Sequence, residues 1–121
     1  MEVYTEDDIL KCLKVVKSTI ANCEKMQPKF AEGTSQHTLL KNRIKALYIS
    51  KALLKGEVIT YDYSKIELED AVAPVSSIIN KCEKAKLNAI EGTATHTRLK
   101  NIINAMTVSN SLILYEIERM N

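Results

Sequence analysis

Tryptophan is absent from this 121-residue chain, and phenylalanine occurs once. Five tyrosines are the only other aromatics, so no stacking platform for single-stranded nucleic acid is evident. No surplus of one charge exists either. Seventeen Lys and Arg face fifteen Asp and Glu, for a formal net charge of +2, where a dedicated nucleic-acid binder usually carries a clear basic excess. Cysteines are few and odd in number: Cys12, Cys23 and Cys82. That count and spacing argue against a disulfide framework and fit a reducing cytoplasm. No stretch approaches the ~20 apolar residues needed to cross a bilayer. The opening MEVYTEDDIL is acidic and has no apolar run, so no signal peptide is expected. Three Gly and two Pro in the whole chain leave room for long helices. The length suits a single domain, residues 1–121, with one modest core.

What the chain does have is a duplicated segment. Residues 16–54 align without a gap on residues 75–113, at an offset of 59, and 18 of the 39 pairs are identical. Eight of those identities fall in the eleven pairs of Glu32–Asn42 against Glu91–Asn101. Apolar positions have drifted while the polar string E-G-T-x-x-H-T-x-L-K-N has not. The two copies extend over about 4–56 and 63–119, with residues 57–62 as a linker.

Each copy reads as a helical hairpin. Thr5 and its counterpart Ser64 are followed three residues later by Asp8 and Glu67, which predicts a capping box in the second copy and a near version in the first. Tyr4 and Tyr63 are placed to staple onto Ile9 and Leu68. The apolar steps Ile9, Leu13, Val16, Ile20, Cys23 and Leu68, Val72, Val75, Ile79, Cys82 follow a bundle seam. Helices are therefore expected over 5–31 and 64–90, kinked or interrupted at Pro28 and Pro74. Gly33 and Gly92 are expected to end them, and Thr34 and Thr93 to cap second helices over 34–55 and 93–119. Those carry Leu40, Ile44, Leu47, Leu54 and Leu99, Ile103, Met106, Ile113. Gly56 closes the first hairpin, and Val58, Ile59 and Tyr61 favour an extended linker. The expected fold is all-α: two tandem helical hairpins, related by a rotation near a half-turn, forming a four-helix bundle. Pairing into a homo-oligomer is left open.

The polar string is the candidate site. A helix start presents free N–H groups and the positive end of the dipole. Thr34, His37, Thr38, Lys41 and Asn42 follow one another there, and Thr93, His96, Thr97, Lys100 and Asn101 repeat the set. Lys25 and Lys84, at the ends of the preceding helices, reach toward the same region. Hydroxyl, imidazole, ammonium and amide groups around free N–H donors suit a phosphate or another anion. A purely structural role competes with this: Thr34 and Thr93 as caps, and His37 and His96 as locks on the hairpin turns. Two Cys and two His (Cys23, His37, Cys82, His96) do not predict a metal, because the cysteines continue the apolar seam and match no tight ligand spacing. Those two thiols are expected to be buried. No nucleophile triad, paired carboxylates or phosphate loop is visible, so no enzyme and no cofactor are expected. Lys11, Lys14 and Lys17 read as a solvated face.

The segments CEKMQPKFAEGTSQHTLLKNRIKALYISKALL and CEKAKLNAIEGTATHTRLKNIINAM resemble a family of small uncharacterised helical proteins of Firmicutes, especially clostridia, and of their phages and mobile elements. The second copy has Ile102 and Asn104 where the first has Arg43 and Lys45, which puts a shared role of those cations in doubt. Similar in kind, without a shared motif, are phage helical-hairpin sponges that bind cyclic-nucleotide or ADP-ribose-derived immune signals. The leading expectation is thus a cytoplasmic, non-enzymatic binder of an anionic, nucleotide-like small molecule at two related sites. Its strongest form is an anti-defence sponge that sequesters such a signal. The alternative is a protein–protein interaction module or small regulator. Neither a membrane nor a nucleic acid is expected as partner.

Overall fold

A computed structural model of the chain describes residues 4–120. They form four helices: α1 Glu6–Met26, α2 Ser35–Leu54, α3 Lys65–Leu87 and α4 Ala94–Arg119. Among the described residues there is no strand. No helix is long and apolar enough to cross a membrane. Helices α3 and α4 begin 59 residues after α1 and α2.

Local chemistry explains the starts. Thr5 accepts from the Asp8 N–H at 3.1 Å while the Asp8 carboxylate accepts from the Thr5 N–H at 3.3 Å. Ser64 and Glu67 make the same reciprocal pair at 3.2 and 3.0 Å. Both copies therefore have a full capping box, since an aspartate at the third helical position reaches back as a glutamate does.

The ends differ from expectation. Helix α1 stops at Met26 and passes into a short 3₁₀ turn, Gln27–Lys29, that contains Pro28. Proline has no N–H to continue the α ladder. Helix α3 runs unbroken through Pro74 and stops at Leu87. Asp70, whose carbonyl would have bonded residue 74, is an exposed residue, on the side of the helix that faces solvent. Gly33 and Gly92 lie beyond the first helices, not at their ends. Each is the third residue of a four-residue turn, closed by the Thr34 N–H on the Ala31 carbonyl and the Thr93 N–H on the Ile90 carbonyl, both 3.2 Å. Their φ of +90° and +87° is where side chains other than glycine are strained. The linker is not extended. Asp62 and Tyr63 both donate to the Ile59 carbonyl at 3.0 Å, and Ile59, only 2% exposed, is turned into the core. With no neighbouring strand, β-branched residues have no ladder to join.

Helix α1 packs on α2 and α4, and so does α3, while no Cα of α1 comes within 8 Å of one in α3. Across the other diagonal, α2 touches α4. The buried small residues Ala46 and Ser50 on α2 and Ala105 and Ser109 on α4 account for this, because interaxial distance follows side-chain size. Each serine hydroxyl is satisfied internally, by the Ala46 and Ala105 carbonyls at 2.9 and 2.7 Å. Leu47, Ile49, Met106 and Ile113 fill the core around them, with Val16 and Leu68 from the outer helices. The seam of α3 is turned from the expected one: Leu68, Ala71, Val75 and Ile78 are buried, and Val72, Ile79 and Cys82 only half-buried. Cys12 joins Cys23 as a buried thiol. Cys82 is less sheltered than Cys23; the first copy packs Phe30 on the core, where the second has Ala89.

Candidate functional site: a basic groove between α1 and α4

The two threonines at the second-helix starts are committed to the fold. Thr34 accepts from the His37 N–H at 3.3 Å and donates to the Ala31 carbonyl at 2.7 Å. Thr93 does the same with His96 and Ile90, at 3.3 and 2.6 Å. They, and not the imidazoles, hold the hairpin turns. His37 and His96 are half-buried, and neither imidazole makes a hydrogen bond among the described residues. Lys25, Lys41, Lys84 and Lys100 are exposed and pair with no carboxylate among the described residues.

The remaining members of the string separate by face. Thr97 and Asn101 turn toward α1 and line an open groove of about 860 Å³ between α1 and α4. From α4 it also takes Ala94, Arg98, Ile102 and Asn104, with Gly92 at the mouth. From α1 it takes Lys11, Cys12, Lys14, Val15, Ser18, Thr19 and Asn22. The set contains three cations, no carboxylate, three amides and three hydroxyls over a floor of Val15, Ile102 and Cys12. Lys11 pairs with Asp7 at 3.1 Å across an exposed surface, and this contact holds its ammonium above the usual value. Lys14 and Arg98 have no carboxylate partner among the described residues. Thr19 donates to the Val15 carbonyl at 2.8 Å and Asn104 to the Cys12 sulfur at 3.9 Å.

Helices α2 and α3 enclose the counterpart of this groove, of about 460 Å³, lined by Leu39, Asn42, Lys45, Ala46, Glu67, Asp70, Ala71, Ala73 and Pro74. Position by position, the chemistry is changed. Asp70 stands for Lys11, Ala73 for Lys14, Leu39 for Arg98 and Lys45 for Asn104. Lys45 is neutralised by Glu67 at 2.6 Å. That contact, with the Ser64 N–H behind it, holds the Glu67 carboxyl below its ordinary range. The size difference has one main cause. Arg43 reaches across to donate to Ser77 at 3.2 Å, filling the part of this groove that stays open beside the shorter Ile102 and above Ser18 in the other.

The polar string thus contributes Thr97 and Asn101 to a cationic groove, and Asn42 to a neutralised one. His37, Lys41, His96 and Lys100 line neither. Sequence reasoning did not single out Arg98, Asn22 and Asn104; it read Lys11 and Lys14 as a solvated face, and both are exposed. The two grooves differ in charge where the copies differ in sequence. Among the described residues, no group of three or more His, Cys, Asp or Glu is placed to hold a metal ion. Compared with family models, curated proteins and solved structures, the chain finds no match.

Proposed function

We propose that this chain is a non-enzymatic binding protein that holds one anionic, nucleotide-like small molecule in the α1/α4 groove and withholds it from other proteins. What carries the reading is the contrast between two grooves of common sequence origin. One is lined by Lys11, Lys14 and Arg98 and by no carboxylate; the other is lined by Lys45 with Glu67 and Asp70 beside it. Lys14 and Arg98, without a carboxylate partner among the described residues, over an apolar floor and beside amides, suit an anion attached to an organic body. One site per chain follows, in place of the two equal sites that the repeated string suggests.

Calorimetric titration with phosphate and a panel of linear and cyclic nucleotides tests this. The expected stoichiometry is one ligand per chain. Arg98→Ala and Lys14→Ala should each weaken binding by about tenfold to a hundredfold, since a charge-assisted contact contributes ~1.5–3 kcal/mol. Lys100→Ala, outside the groove, should leave affinity unchanged. Equal losses for all three variants, or no binding across the panel, would overturn the proposal.

A further inference from the structure

The α1/α4 and α2/α3 grooves are open over different lengths. Seven residues that line the smaller groove, Leu39 and Asp70 among them, have their offset-59 counterparts in the larger one. Six further side chains line the larger groove alone: Ser18, Thr19, Asn22, Ala94, Thr97 and Ile102. None of the six is charged. Their counterparts, Arg43 and Ser77 included, line no part of the smaller groove. There the Arg43 guanidinium reaches α3 and donates to the Ser77 hydroxyl at 3.2 Å, and Ser77 is half-buried. Ser18, the counterpart of Ser77, is exposed and makes no hydrogen bond among the described residues. Ile102, standing for Arg43, has no donor to offer it.

One position of the fold is thus occupied in one groove and open in the other. What occupies it is a planar N–C–N group with outward N–H donors. The open position disfavours a further cation, since Lys11, Lys14 and Arg98 line the same groove and no carboxylate does. A planar group with the same donors and no charge meets both conditions. Asn22, one turn on from Ser18 along the same helix face, adds an amide that both donates and accepts. We infer that the end of the groove at Ser18, Asn22 and Ile102 holds the organic body of the ligand, and that this body is a guanine base, whose uncharged N–C–N amino edge takes the place that Arg43 takes in the other groove. This rests on the groove being the binding site, and it names the base.

Guanosine and inosine 5′-monophosphates differ only by the amino group on that edge. Calorimetric titrations at one fixed ionic strength, with adenosine 5′-monophosphate and inorganic phosphate beside them, compare the bases. The guanosine nucleotide should bind about threefold to tenfold tighter than the inosine one, the span of a single neutral hydrogen bond. Ser18→Ala should bring it down to the inosine level. Ile102→Arg is the sharper variant. It supplies the donor that the other copy has, so its guanidinium should close on Ser18 and guanosine nucleotide binding should be lost, with a melting temperature close to that of the unaltered protein. A site that recognised charge alone would instead bind the nucleotide more tightly once a cation was added. Unaltered or tighter binding by Ile102→Arg, or guanosine nucleotide binding no better than inosine or adenosine nucleotide, would overturn the base assignment while leaving an anion site in the groove. Failure of every probe, phosphate included, would overturn both this inference and the binding function beneath it.

Discussion

Three thiols in this bundle have three degrees of shelter. Cys12 is 1% exposed and Cys23 9%, while Cys82 is half-buried. Burial pushes all three above the usual thiol value, because a thiolate in apolar surroundings loses its hydration; Arg43 draws Cys23, and Arg98 draws Cys82, partly back. At pH 8 an alkylating reagent should therefore modify Cys82 first, and Cys12 and Cys23 only slowly until the protein is unfolded. Mass mapping of a labelling time course checks this, and Cys12 labelling as fast as Cys82 would contradict it. At this scale the sequence was unevenly legible. Thr5, Ser64, Thr34 and Thr93 were readable as caps because a cap is decided by four consecutive residues. Arg98 and Lys14 were not, because what they face is decided by a helix far away in the chain. The histidines show the converse. Being repeated made them conspicuous, yet they line neither groove.

Helix types and starts were legible from the spacing of apolar residues; helix ends were less so. Pro28 and Pro74 look alike in the sequence and behave differently. Pro28 falls where only loop follows, and the ladder gives way. Pro74 is followed by Val75 and Ile78, both buried, so packing holds α3 together across the missing bond. In α3 the expected Leu68 and Val75 are buried, but Ala71 and Ile78 take the core places expected of Val72 and Ile79. The start of α3 also carries a testable pH dependence. Glu67 is held below its ordinary range by Lys45 first and by the Ser64 N–H second. A carboxyl depressed in the folded state stabilises it above the unfolded value, near 4.3 for glutamate, and that support is lost as pH falls toward the folded value. Thermal melts should show Glu67→Gln losing less stability than the unaltered protein between pH 7 and pH 3. Identical pH profiles would show that the pair and the capping box contribute nothing measurable.

Across the whole molecule, the close approach of α2 and α4 sets the shape of both grooves, because the outer helices settle against whatever separation the central pair allows. Ala46 and Ala105, each 1% exposed, permit it. Ala46→Leu should cost about 1–3 kcal/mol as an overpacked core, and should weaken binding in the α1/α4 groove although residue 46 does not line it. Denaturant unfolding beside titration with the same nucleotide checks both parts; lost stability with unaltered affinity would separate the central pair from the site. The architecture itself was legible, since a hairpin with one apolar seam must find another. Which neighbours would enclose the cationic groove was not. The α1/α4 groove draws Lys11 and Lys14 from the first copy and Arg98 and Asn104 from the second. A symmetric pair made from the first copy alone would set those lysines against Leu39 and Lys45; one made from the second would set Arg98 against Asp70 and Ala73. Neither ancestor-like homodimer contains the groove. For the binding function proposed above, having both copies in one chain is the condition, for only then can the two sides of a common interface differ, one lined by cations without a carboxylate and the other by a neutralised lysine.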